Sequence, residues 1–357
     1  VGSKDEPKGK TGFAHLFEHL MFNGSENLPG DYFTYLQQIG ATDYNGTTNF
    51  DRTNYFQTVP TGALERALFM ESDRMGYLLG AVTKAKLDNQ RSVVQNEKRQ
   101  GDNQPGGLVF YEIMETLFPQ GHPYHHLPIG SMADLDAASL ADVKSWFRDN
   151  YGPNNAVLVL AGDTSAAEAR PLVEKYFGSI ERGPVNEPAA AAVPVLAAPV
   201  SEVMKDRVAA TTVSRYWPMP GLLDRQLVAL DLGGSVLGGL ASSRLDNILV
   251  RDEKTAVSVS AGLYAQQRVG IFFAQATVKP GVDPALVEKR LDEIIQQYIA
   301  EGPTADEIAR AATREVGTRM RALEQVGGFR GKAVTLAEGE VLAGDSDSYK
   351  ETLATYA

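Results

Sequence analysis

Three residues within five positions could do chemistry together: His15, Glu18 and His19, in the stretch Thr11-Gly12-Phe13-Ala14-His15-Leu16-Phe17-Glu18-His19-Leu20-Met21-Phe22. On a helix, residues three and four apart share a face, so all three project from one side. An imidazole pair one turn apart is a ready bidentate site for zinc, and a neighbouring carboxylate can take a proton from a metal-bound water. Leu16, Phe17, Leu20, Met21 and Phe22 are apolar, which predicts a buried helix whose polar cluster faces a cleft. With five histidines in 357 residues, a chance His-x-x-Glu-His has odds of roughly one in a hundred. The order inverts His-Glu-x-x-His.

The chain has no cysteine, so thiolate metal sites, disulfides and cysteine nucleophiles are excluded, leaving histidine and carboxylate as the strong ligands. A predicted helix over 83–100 carries Leu87, Val93 and Val94 towards the core and sets Gln90 and Glu97 seven apart on one face. Glu97 is the carboxylate assigned to the metal. Three more histidines stand in Gly121-His122-Pro123-Tyr124-His125-His126-Leu127-Pro128. Its two prolines rigidify a loop without any spacing that converges the rings, so these histidines read as structural.

A length of 357 residues fits two domains of about 150–200 residues each. The 43% hydrophobic and 22% charged content is that of a globular protein. A net charge of −11 argues against nucleic-acid binding, which needs a basic face. Without a run of 18 apolar residues nothing predicts a membrane-spanning helix.

The helix that carries the motif is expected to follow a loop at 1–10 and to end near Gly24. Further helices are predicted at 31–39, 61–79, 106–118, 139–151 and 165–177. Strands are predicted at 41–48 and 53–59, with a turn at 49–52 in preference to Asn45-Gly46, and a buried strand at 155–161. Pro184, Pro188, Pro194 and Pro199 interleaved with alanines mark a linker, placed at 183–200. Beyond it come strands in 202–216, helices at 222–240 and 242–250, strands at 256–264 and 269–278, and helices at 283–300 and 304–323. This predicts an α+β fold of two domains, 1–182 and 201–357, each a mostly antiparallel sheet with packed helices.

The order helix, helix, hairpin, long helix, long helix occurs twice. Thr83-Lys84-Ala85-Lys86-Leu87 lies over Thr304-Ala305-Asp306-Glu307-Ile308 at an offset of 221, which sets Thr318 opposite Glu97. Opposite the motif stands Ser235-Val236-Leu237-Gly238-Gly239-Leu240-Ala241, with neither histidine nor carboxylate. The second domain is thus expected to keep the scaffold without the metal site. Laid over each other, the copies suggest that about 20–30 residues with an N-terminal strand are missing before Val1, and the last part of the second domain is missing too.

The chain resembles the pitrilysin family of zinc peptidases, which includes insulin-degrading enzyme and the mitochondrial processing peptidase. The likeness rests on Gly12-x-x-His15-x-x-Glu18-His19-x-x-Phe22-x-Gly24, Arg91-x-Val93-Val94-x-x-Glu97, Gly121-His122-Pro123-Tyr124, and Tyr151-x-Pro153-Asn154-Asn155 before Gly162-Asp163. It implies one zinc ion in the catalytic domain, held by His15, His19 and Glu97, with Glu18 as general base for a zinc-bound water. It implies a fold forming half of a clamshell, and a peptide substrate along the edge of strand 41–48, touching Asn45, Gly46 and Thr47. Where the family often has a second glutamate this chain has Gln90, an amide that can still hydrogen-bond near the site. The resemblance further implies a second half, or a second homologous subunit in a homo- or heterodimer, because no distant Arg and Tyr pair is found; Phe329-Arg330 reads as structural. A bacterial periplasmic setting is the family-level expectation. The competing expectation is a non-catalytic scaffold or partner-binding subunit of the same fold.

Overall fold

The computed structural model describes residues 1–187 and 189–357; Pro188 of the expected linker lies outside the described residues. In chain order the elements are α1 (Phe13–Leu20), α2 (Tyr32–Gln38), β1 (Thr42–Thr48), β2 (Thr53–Thr58), α3 (Leu64–Gly76), α4 (Lys84–Asp102) and α5 (Val109–Leu117). They continue with α6 (Met132–Ala137), α7 (Leu140–Asn150), α8 (Ala166–Phe177), β3 (Thr212–Pro220), α9 (Leu227–Gly234), β4 (Ala256–Ala265) and β5 (Val269–Val278). The last are α10 (Pro284–Glu301), α11 (Ala305–Ala322), α12 (Lys332–Glu338) and α13 (Ser348–Tyr356). The fold is α+β. The expected repeat is visible in the element order, α1-α2-β1-β2-α3-α4 against α9, a π-helical turn at Asp246–Asp252, then β4-β5-α10-α11.

Two compact units result. One comprises Val1–Asn103, Gln120–Ala190 and Arg321–Tyr349, the other Gln104–Pro119, Ala191–Met320 and Lys350–Ala357. This grouping departs from the expected division at two segments, each for a local reason. Phe110 of α5 packs edge-on to Tyr264 of β4, ring centroids 5.8 Å apart, which holds α5 in the second unit. Phe329 packs against Phe56 of β2 at 4.9 Å and Glu338 pairs with Arg52 at 2.9 Å, which holds that segment in the first.

In the first unit α1 is the central element. Phe13, Leu16, Phe17 and Leu20 are fully buried against Leu87 and Val94 of α4, Leu135 of α6, and Val143, Trp146 and Phe147 of α7. Each such side chain contributes about 2–3 kcal/mol on burial. β1 and β2 form an antiparallel hairpin with Thr48 opposite Thr53 and Gly46 opposite Tyr55. Its turn falls at 49–52 as expected, because the Asn49 side chain accepts the Asp51 and Arg52 amides at 2.8 and 2.9 Å. The second unit is built on the antiparallel sheet β3-β5-β4, whose buried Ala274, Ala276 and Val278 face Val287, Leu291 and Ile294 of α10.

Three local expectations need correction. Residues 155–161 form no strand: a short 3₁₀ turn at Pro153–Asn155 is followed by irregular chain, and Val157 and Leu158 are exposed. An apolar run becomes a strand only against a ladder partner, and none of the described residues pairs with it. In 202–216 only the part from Thr212 is strand, running on to Pro220. Pro218 and Pro220 are tolerated because β3 is an edge strand. Residues 1–10 are more ordered than a loop: Ser3–Asp5 is a 3₁₀ turn whose Ser3 and Lys4 amides donate to the Asn49 and Phe50 carbonyls at 3.2 and 2.9 Å. In the expected linker no helix or strand occurs among the described residues.

Candidate metal centre and its cleft

The start of α1 is fixed by its neighbours. Gly12 caps the helix at φ +94°, a conformation that strains other residues. Glu6 accepts the Gly12 and Ala14 amides at 2.9 and 2.8 Å and lies 2.8 Å from His126 Nε2. Burial still pushes the Glu6 carboxyl up, against the lowering effect of His126 and the two amides. His126 therefore anchors α1, as the structural reading of the histidine loop expects. Tyr124 of that loop donates to Asp51 at 2.6 Å and ties the loop to the hairpin turn.

α4 brings in the third residue by periodicity. Leu87, Gln90, Val94 and Glu97 fall at i, i+3, i+7 and i+10, one face of a helix. Leu87 and Val94 are buried against α1, so the carboxylate one turn beyond Val94 is delivered to the histidine pair. Arg91 locks the helix in place, donating to the carbonyls of Leu135 and Ala138 at 2.7 and 2.6 Å.

The Nε2 atoms of His15 and His19 are 3.3 Å apart, and Glu97 Oε2 stands 3.7 and 3.4 Å from them. Tetrahedral zinc with bonds of about 2.0–2.1 Å requires donors separated by about 3.3–3.5 Å. The donor set therefore fits the ion. It is the one His, Asp and Glu cluster of metal-binding geometry among the described residues. Burial, with a smaller contribution from His19, lowers the His15 pKa to about 4, so its ring is neutral at neutral pH with a lone pair available. His15 Nδ1 is buried and makes no hydrogen bond among the described residues.

Glu18 lies beside this cluster on the same helix face. Burial raises its pKa, opposed by the hydrogen bond that Thr48 Oγ1 donates to Oε2 at 2.5 Å. Gly46, two residues earlier on the same side of β1, makes that approach possible. A Cβ there would stand 2.9 Å from the Phe22 ring and 3.0 Å from Glu18 Cγ. Behind them Tyr55 and Tyr151 hydroxyls lie 3.4 Å apart, and burial pushes Tyr151 up to about 12. The buried Arg74 guanidinium sits 4.4 Å from the Tyr55 and Tyr32 ring centroids and 5.6 Å from that of Phe22, clamped by Glu71.

Glu18, His19, Phe22, Asn45 and Gln90 share the lining of one cleft of about 490 Å³. Asn45 is exposed on it, whereas Gly46 is buried beneath. Thr47 is turned to its own hairpin: it donates to Asn54 at 2.5 Å and accepts from Arg52 at 2.6 Å. Its neighbour Thr48, unassigned from sequence, is the residue that reaches Glu18. Strand alternation puts Gly46 and Thr48 on one face but does not say which face meets Glu18. Gln90 donates to Asn23 at 3.1 Å, and Asn23 donates to the His19 carbonyl at 2.9 Å. It thus reaches a metal-side residue through one intermediary.

Residues 1–127 match "Insulinase (Peptidase family M16)" and residues 137–315 match "Peptidase M16 inactive domain". The zinc protease PqqE of Helicobacter pylori is 29% identical over 305 residues, covering 83% of this chain and 67% of that protein. The crystal structure of a protease from Helicobacter pylori superposes with a TM-score of 0.84 at 26% identity, covering 100% of this chain and 86% of that one. The first half of the periplasmic protease PqqL from Escherichia coli shares the fold, with a TM-score of 0.70 at 19% identity over 100% of this chain and 78% of that one. The chain belongs to peptidase family M16, the pitrilysin family. No helix among its described residues is long and apolar enough to cross a membrane.

Proposed function

We propose that the chain is a zinc-dependent endopeptidase acting on peptides or unfolded polypeptide segments, with residues 1–182 as catalytic domain and 201–357 as its non-catalytic homologue. The observation that carries this is the convergence of His15 Nε2, His19 Nε2 and Glu97 Oε2 within 3.7 Å of one another, beside a separately oriented Glu18. When bound, zinc polarises a carbonyl and lowers the pKa of a water it holds to about 7. His15, His19 and Glu97 would hold the ion. Glu18 takes a proton from the attacking water and returns it to the departing amine nitrogen, a role favoured by burial that makes its carboxylate more basic. β1 pairs only with β2, so its other edge is free among the described residues to take an extended peptide through backbone hydrogen bonds, with Asn45 beside it.

That the similar PqqL structure is only the first half of that protease supports a second half or a homologous subunit as partner, and its periplasmic location supports a bacterial periplasmic setting. The match of residues 137–315 to an inactive domain favours a scaffolding role for that part alone. Chelation tests the reading. Zinc removal is expected to abolish cleavage of an unfolded peptide and one equivalent of zinc to restore it; cleavage that survives chelation refutes it. Thr48→Val is expected to lower kcat about tenfold at unchanged KM and zinc content, with Thr48→Ser restoring the rate, because a hydrogen bond to a charged group is lost. A kcat equal to that of the parent removes Thr48 from the orientation of Glu18.

A further inference from the structure

The ionisable residues lining the cleft are Glu18, His19, Asp31 and Lys86. Three of them are committed. Glu18 accepts from Thr48, His19 faces Glu97 at 3.4 Å, and Asp31 caps α2 by accepting the Phe33 amide at 2.9 Å. The Lys86 side chain makes no ion pair or hydrogen bond among the described residues, while its backbone amide donates to Thr83 Oγ1 at 3.3 Å, and burial alone lowers its pKa. Its place is locally unfavourable as well. It stands half-buried in the first turn of α4, where the helix dipole disfavours a cation. Lys84 in the same turn offsets that cost by pairing with Asp88 at 2.5 Å. One turn on from Lys86 is the uncharged Gln90, whose amide nitrogen already serves Asn23 and Asn89.

A lone cation held against its helix dipole, lining the same cleft as Glu18 and His19, is a receptor for an anion. We propose that Lys86 receives a carboxylate of the bound peptide, so that the cleft favours a chain with one acidic group in register with α4. The inference rests on the reading that this cleft takes peptides. It implies one carboxylate rather than an acidic tract, because a chain of net charge −11 repels a polyanion at long range. The group is either an Asp or Glu side chain or a C-terminal carboxylate, which share this chemistry.

Binding without turnover tests it. Labelled unfolded peptides carrying Asp at successive positions, their Asn counterparts, and C-terminally amidated versions are titrated against the Glu18→Gln chain by fluorescence anisotropy. One register is expected to bind about three- to tenfold tighter with the carboxylate than with its amide, the range for a partly desolvated ion pair. Lys86→Met is expected to erase that difference, and Lys86→Glu to transfer the preference to a Lys-bearing peptide. Loss on Asp→Asn identifies a side-chain carboxylate, and loss on amidation a terminal one. Equal affinities throughout, no measurable binding, or discrimination that persists in Lys86→Met would overturn the proposal. Lys86-dependent discrimination together with undiminished hydrolysis by Glu18→Gln would instead leave it standing and sink the catalytic reading.

Discussion

Glu18→Gln is expected to abolish peptide hydrolysis, by about 10²–10⁴-fold or more, the usual worth of a positioned general base, while zinc stays bound. Glu18 supplies none of the three converging donor atoms, so the metal content of the variant should equal that of the parent. Glutamine has the same shape and can still accept the Thr48 hydroxyl through its carbonyl oxygen. The metal-free variant should lose no stability. Burial raises the Glu18 pKa, so its carboxyl stabilises the fold below the unfolded pKa and that contribution is lost as pH rises through the folded value. A neutral amide avoids the cost of burying a carboxylate charge, and the melting temperature is expected to hold or rise. Zinc analysis and cleavage of a quenched-fluorescent peptide decide the matter; turnover at the parental rate would sink the assignment of the base.

Glu97→Ala carries the second large effect, on the metal itself. Removing one of three donors leaves a histidine pair, and zinc affinity is expected to fall by more than about 100-fold, the upper end of what even an outer hydrogen-bond partner is worth. The Glu97 side chain is 43% exposed, so its loss should cost the metal-free fold little. Zinc stabilises whatever folded state binds it in proportion to the logarithm of its concentration over Kd. The parent should therefore show a zinc-dependent rise in melting temperature and Glu97→Ala should not, while the two apo proteins melt together. A variant that retains a full equivalent of zinc would remove Glu97 from the ligand set.

Much of the site was legible before any fold was known, because helix periodicity is local. Three and four residues within α1 and seven within α4 are enough to say which side chains share a face, whatever the helices pack against. The turn at 49–52 was legible for a similar reason, since Asn49 closes it with its own side chain. The same periodicities gave the helix-hairpin-helix order of both halves, but not the helices at Met132–Ala137, Lys332–Glu338 and Ser348–Tyr356.

Register across segments was less accessible. Thr47 and Thr48 are chemically alike, and which one meets Glu18 depends on the register of the β1–β2 pair, which shifts between Thr42 and Asn45. A shift of one residue exchanges the two faces of a strand. The run at 155–161 has the composition of a buried strand and is irregular, because strand formation is a property of the pair. Nothing in the predicted helix at 61–79 marks Arg74; three aromatic rings from α2, β2 and the segment after α1 make it a buried clamp behind the site.

The sequence by itself determined the reactive helix, its apolar backing, the carboxylate seven residues beyond Gln90 and the likeness to a zinc peptidase family, since each rests on contacts within one segment. Tertiary structure alone decided that the three donors stand at zinc-compatible separations, that Thr48 reaches Glu18, and that the Lys86 side chain is left without a partner in the cleft. These depend on where separate segments come to rest. That outcome is set by burial of Phe17, Leu87 and Val94 in one core, a sum over many weak and non-local contacts that no short stretch encodes.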